Sequence, residues 1–130
     1  MIAKPKLDHL TILYSDREAS EAFYRAVLPL VGFQETASGI WSDGEGFHLQ
    51  FMKAKAGTRP YERYGAGLNH WGFGMGSEED VHALRAGLLA AGIDAQPVQD
   101  LGGAQALFVP DPDGLRLEFT WYPDGVAVVG

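Results

Sequence analysis

Residues alternate in polarity along the first extended stretch of the chain. A period of two puts Leu7, His9, Thr11 and Leu13 on one face of a strand and Asp8, Leu10, Ile12 and Tyr14 on the other. The period then changes. Ala19, Ala22, Phe23, Ala26, Val27 and Leu30 recur at helical spacing, which predicts a helix directly after the strand. Ser15, with Glu18 three residues on, is the expected N-cap. Pro29 should weaken the last turn, and Gly32 should end the helix as a left-handed C′ residue.

The same sentence is written again from Leu68. "LNHWGFGM" is a second strand of the L-x-H type, in which Leu68, His70, Gly72 and Gly74 oppose Trp71, Phe73 and Met75. Ser77, with Asp80 three residues on, is the expected cap of a helix carrying Val81, Leu84, Arg85, Leu88 and Leu89, and Gly92 is its stop. "EGFHLQF" at 45–51 matches "DGLRLEF" at 113–119, each a glycine turn feeding an alternating strand. "DPDG" at 111–114 is a turn with Pro112 preset for its first central position. Ser38–Ser42 and Ala104–Val109 are the strand candidates before these hairpins. Each half therefore reads β-α-β-β-β. A repeat of this length cannot bury its sheet alone. The expected fold class is α+β: two βαβββ modules in tandem, forming paired four-stranded sheets around a cavity with helices outside. The boundaries expected are about 5–53 and 67–123, with a linker loop at 54–66, all within a single domain over 1–130.

Composition narrows the classes. A chain of 130 residues that is 46% apolar supports one domain with a core. The absence of cysteine removes disulfides and thiolate chemistry. A formal charge of −7 with no basic face predicts no nucleic-acid partner. No apolar run approaches about 18 residues, so no membrane partner is expected. "MIAKPKLDHL" has no signal-peptide character, and a cytoplasmic location is expected. Open sheet edges need cover, which predicts a homodimer, with or without halves exchanged between chains. "GVAVVG" at 125–130 is either an extra strand or an apolar tail.

The polar residues of the repeat point to chemistry. The bulky set Trp71, Phe73 and Met75 suits the helix side, which leaves His70 facing the cavity; by the repeat, His9 does the same. In the last strand Leu115, Leu117, Phe119 and Trp121 take the helix side, and Arg116, Glu118, Thr120 and Tyr122 lie opposite. Gln50 occupies the place of Glu118 in the first half, flanked on its face by His48 and Met52. One histidine in a strand is ordinarily a hydrogen-bonded core residue. Two at one repeat position, with Glu and Gln sharing another, favour a divalent-metal site made of His9, Gln50, His70 and Glu118. His48 is the candidate catalytic base, or the ligand in place of Gln50. Imidazole and oxygen donors suit nickel, manganese, iron(II), cobalt or zinc alike. In the linker, Arg59, Tyr61, Arg63 and Tyr64 are the candidate substrate-binding residues, the alternative being a solvated linker or dimer contact. His82 is expected in solvent, and Trp41 and Trp121 in the core.

The doubled pattern, with "LDHLTI", "GLNHWGFGM" and "DPDGLRLEF", resembles the vicinal oxygen chelate superfamily of glyoxalases, bleomycin-resistance proteins and extradiol dioxygenases over about Leu7–Tyr122. The resemblance implies metal ligands at His9, His70 and Glu118, with a fourth from the strand of Gln50. Glyoxalase-type members usually carry glutamate there, and an amide cannot accept a proton at neutral pH. The resemblance therefore implies a set closer to the dioxygenase and fosfomycin-resistance branches. The function it implies is a metal-dependent lyase, isomerase or dioxygenase acting on a small oxygen-chelating substrate. The alternative is a metal-free protein that sequesters a small molecule or drug, as bleomycin-resistance members do.

Overall fold

A computed structural model describes residues 1–128. The chain divides into two compact units, one over Met1–Thr58 and one from Arg59 onward. Each is a four-stranded mixed sheet with one helix, and the fold class is α+β with two βαβββ modules in tandem.

The first unit comprises β1 (His9–Tyr14), α1 (Arg17–Val27), a 3-10 turn (Leu28–Val31), β2 (Gln34–Ala37), β3 (Ile40–Ser42) and β4 (His48–Lys53). Its strand order is β1-β4-β3-β2, with β1 and β4 parallel and the other pairs antiparallel. Leu49 and Trp41 are buried and lie in one row of the sheet, while Ile12 is buried beside them on the helix side. Tyr24 of α1 closes that side, its ring 4.2 Å from the ring of Phe51.

Three local expectations are corrected here. The cap of α1 is Asp16, not Ser15: its carboxylate accepts from the N–H of Ala19 at 3.1 Å. A carboxylate accepts strongly and complements the positive end of the helix. The buried face of α1 is Ser20, Phe23, Tyr24 and Val27, at i, i+3, i+4 and i+7, whereas Ala22 and Leu30 are exposed. Tyrosine and serine count as polar in a binary pattern although their bodies pack well. Ser38 and Gly39 form the β2–β3 turn rather than the start of a strand, and Gly39 has φ 74°. An α-carbon side chain there would meet the Phe51 carbonyl oxygen at 3.0 Å.

The second unit repeats the plan: β5 (His70–Gly74), α2 (Glu78–Ala90), β6 (Gln99–Leu101), β7 (Ala104–Pro110) and β8 (Arg116–Trp121), in the order β5-β8-β7-β6. Ser77 caps α2, accepting from the N–H of Asp80. Val81, Leu84 and Leu88 are its buried residues; Leu89, a hundred degrees round from Leu88, is exposed. Trp71, Leu117, Phe119, Leu107 and Val109 form the apolar layer on the other side of the sheet from His70. Trp41 is in the core as expected, whereas Trp121 is only half-buried.

Gly92 follows the end of α2 as predicted, whereas α1 already ends at Val27 and Gly32 closes the 3-10 turn that continues it, where Pro29 weakens the last turn. Phe33 donates to the Leu28 carbonyl and Ile93 to that of Leu88, and Gly32 and Gly92 take φ of 88° and 79°. No helix or strand occurs between Lys53 and His70. Among the described residues no helix is long and apolar enough to cross a membrane. None of 122–128 is in a strand; the rest of the "GVAVVG" stretch lies outside the described residues.

Candidate functional site

The second unit brings His70 and Glu118 together. Gly72 pairs with Glu118 across the parallel β5–β8 ladder, so His70 and Glu118 leave neighbouring strands on one face. Nε2 of His70 lies 3.0 Å from Oε1 of Glu118. Glu118 is 8% exposed. Its other oxygen accepts from the Thr120 hydroxyl at 2.6 Å. Gly72 and Gly74 present no side chains to the same face, and a Cβ at either would meet nothing within 4 Å. The open space beside His70 is therefore a direct result of glycine in the strand.

Asn69 decides which way the imidazole works. Its amide Nδ2 donates to the Arg63 carbonyl at 2.9 Å, which fixes the amide so that Oδ1 faces Nδ1 of His70 at 2.8 Å. An amide oxygen only accepts, so the proton sits on Nδ1. Nε2 then turns a lone pair toward a carboxylate oxygen. Two acceptors at 3.0 Å need either a second proton or a cation between them.

That arrangement fits a divalent metal. Two donors each about 2.1 Å from an ion, at about a right angle, stand about 3.0 Å apart. A metal-bound histidine is ordinarily oriented by an oxygen acceptor on its other nitrogen. Nε2 of His70 and Oε1 of Glu118 would be the donors, and Asn69 and Thr120 the groups that orient them. Two donors are an incomplete set. Among the described residues no group of three or more His, Asp or Glu comes together as a metal would require.

The first unit has polar side chains at the corresponding strand positions. His9 and His48 pair across the parallel β1–β4 ladder, and Thr11 pairs with Gln50, so all four stand on the face away from the helix. The Thr11 hydroxyl donates to Gln50 Oε1 at 3.2 Å. Nδ1 of His9 faces Asp8 Oδ2 at 2.7 Å. In both L-x-H motifs, then, the residue before the histidine presents a side-chain oxygen to Nδ1. The chain wrote this signal as Asp8 and Asn69, and the sequence reading passed over it.

The linker residues have different fates. The Tyr61 hydroxyl donates to the carbonyls of Leu68 and Asn69, which pins the loop to the start of β5. Arg63 is half-buried, with its guanidinium 4.8 Å from the centre of the Tyr64 ring. Tyr64 is 82% exposed, and Arg59 is exposed as well. His82 is exposed, 3.9 Å from Glu78. Arg116, which the sequence reading left without a role, stands in register with His70. A cavity of about 220 Å³ lies elsewhere, on the helix side of the first unit. Tyr14, Tyr24, Trp41 and Phe51 line it, with Arg25 and Glu35.

The family model of the Glyoxalase/Bleomycin resistance protein/Dioxygenase superfamily matches residues 6–119. The chain belongs to this superfamily. It is 31% identical over 122 residues to the uncharacterised protein YqjT of Bacillus subtilis, covering 86% of this chain and 95% of that one. Among solved structures, a glyoxylase/bleomycin resistance protein/dioxygenase domain from Frankia superposes with a TM-score of 0.78 at 22% identity, covering 95% of this chain and 96% of that one. The fosfomycin resistance protein FosX of Listeria monocytogenes does so at 0.66 and 18% identity, covering 95% and 97%. These two likenesses are of fold.

Proposed function

We propose that this protein is a divalent-metal-dependent enzyme, of the lyase, isomerase or dioxygenase type, acting on a small substrate with neighbouring oxygen atoms. The observation that carries the reading is the meeting of His70 Nε2 with Glu118 Oε1 at 3.0 Å while Asn69 occupies the other nitrogen. His70 and Glu118 would hold the ion, and His9 and Gln50, at the matching positions of the other module, are the candidates for the rest of the set. When bound, the metal would supply Lewis acidity to substrate oxygens.

The chain's own residues do the remaining work. Asn69 keeps the Nε2 lone pair of His70 available. Thr120 holds one oxygen of Glu118 and leaves the other for ligation. Thr11 orients the Gln50 amide. His48, in register with His9 on the same face, is the candidate base. Arg59, Tyr61, Arg63 and Tyr64 form the candidate substrate edge, Tyr61 by shaping the loop. Leu13 and Met52, 55% and 47% exposed in one row of the first sheet, support a homodimer that covers this face.

Calorimetric titration of chelator-stripped protein with nickel, manganese, iron(II), cobalt and zinc tests the reading. Saturable binding of one ion, weakened by Glu118→Gln, is expected. No binding of any of the five would refute metal dependence and leave the metal-free sequestering protein in its place.

A further inference from the structure

Two arginines near the His70 face of the second sheet form no ion pair among the described residues. Arg116 is in register with His70, so the two side chains leave adjacent strands on the same side. Its guanidinium lies 4.1 Å from the centre of the Phe108 ring, and the His70 ring meets the same ring edge-on at 6.2 Å. Arg63 reaches this neighbourhood from the loop. Its carbonyl is held by Asn69, the residue that also faces Nδ1 of His70.

Their electrostatics are unfinished. The charges of Arg63 and Arg116 lie close enough to repel, and the Glu118 carboxylate attracts Arg116 without reaching ion-pair distance. Nε of Arg63 is buried with no hydrogen-bond partner among the described residues. Neither side chain is within ion-pair distance of a carboxylate among the described residues. The arginines of α1, by contrast, are paired with Glu21 and Glu35. Two like charges near each other, one with an orphaned N–H, are what a site for an oxyanion looks like before the oxyanion arrives. A guanidinium fork matches the paired oxygens of carboxylate and phosphoryl groups.

We infer that Arg63 and Arg116 form an oxyanion clamp beside His70 and Glu118, and that the molecule taken by this site carries a carboxylate or phosphoryl group. This deepens the proposed function and rests on it only in treating the anion as part of the substrate. The clamp itself requires no metal.

The test therefore uses metal-stripped protein dialysed free of chelator. Arginine Nε signals of the whole protein are followed by nuclear magnetic resonance during titration with inorganic phosphate and, separately, malonate. Saturable shifts of the Arg63 and Arg116 signals are expected with at least one anion, and which anion acts tells phosphoryl from carboxylate. Arg63→Gln, Arg63→Lys and Arg116→Gln should each weaken binding at least tenfold, while the exposed Lys55→Gln should not. Arg63→Lys separates loss of the fork from loss of charge. Should Arg116→Gln fail to fold, the wild-type Nε signals still decide. Shifts that never saturate, that affect all arginines alike, or that weaken equally in Lys55→Gln would overturn the clamp. Failure of metal binding would leave these signals unchanged, so the two readings fail separately.

Discussion

Oδ1 of Asn69 lies 2.8 Å from Nδ1 of His70, and this contact fixes which nitrogen of the imidazole remains free. The amide cannot turn over without giving up its bond to the Arg63 carbonyl. Replacing Asn69 by alanine should therefore loosen both the imidazole and the loop. Loss of such an outer acceptor typically lowers metal affinity by about 10–100-fold. Calorimetric metal titration of Asn69→Ala checks this; unchanged affinity would show that the imidazole needs no orienting partner.

Asp16 and Ser77 do equal work at the starts of the two helices, each accepting a backbone N–H from three residues on. Asp16→Ala and Ser77→Ala should each destabilise by about 1 kcal/mol, as loss of an N-cap commonly does. Urea unfolding measures both. A neutral Asp16→Ala would return the cap of α1 to Ser15.

Leu49 and Leu88 are fully buried, one in each unit, whereas Leu13 is 55% exposed. Leu49→Ala and Leu88→Ala should each cost about 2–5 kcal/mol through lost transfer energy and the cavity left behind. Leu13→Ala should cost far less to the isolated chain. If Leu13→Ala proves costly only at concentrations where the protein associates, the open sheet face is a subunit contact.

Acid should weaken the first unit. The hydrogen bond from Arg25 holds the Glu35 carboxyl below its ordinary range, and backbone N–H groups of Glu45 and then Phe47 do the same for Asp43. A carboxyl lowered in the folded state adds stability above its unfolded value, and that stability is lost as pH falls through the folded one. Stability should therefore decline with falling pH across the acid carboxylate range. Glu35→Gln and Asp43→Asn should flatten the decline, read as urea midpoints at several acid pH values. Glu35 is exposed and Asp43 only half-buried, so the effect should shrink in high salt.

Much of this fold was legible because the chain states its plan twice. Period-two alternation in β1, β5 and β8 placed Leu117 and Phe119 against the helix and Glu118 opposite, as observed. The left-handed Gly92 marked the end of α2, and Gly32 that of the 3-10 turn following α1. β2 and β6 were not legible by position. They are edge strands of four and three residues, every one exposed, so neither face carries a hydrophobic pattern. The buried face of α1 was misread because Tyr24 and Ser20, 2% and 3% exposed, count as polar in a binary pattern.

The candidate site was legible where the repeat duplicated it. His9 with His70, and Gln50 with Glu118, stand at matching positions. Asn69 was missed although Asp8 stands at the same point in the other copy, one residue before the histidine. Arg116 was missed because nothing in its strand marks it apart from sharing the face of Glu118; its importance arises only once the loop carries Arg63 near it. Such proximity across a loop is written in no local pattern.

The central claim is that His70 is a metal ligand. The most direct measurement is the metal content of protein purified without a histidine tag or chelator, set beside that of His70→Ala. About one divalent transition metal per chain, lost in the variant while its secondary structure is retained, is the predicted result. No metal in the wild-type protein, or equal metal in both proteins, would contradict it.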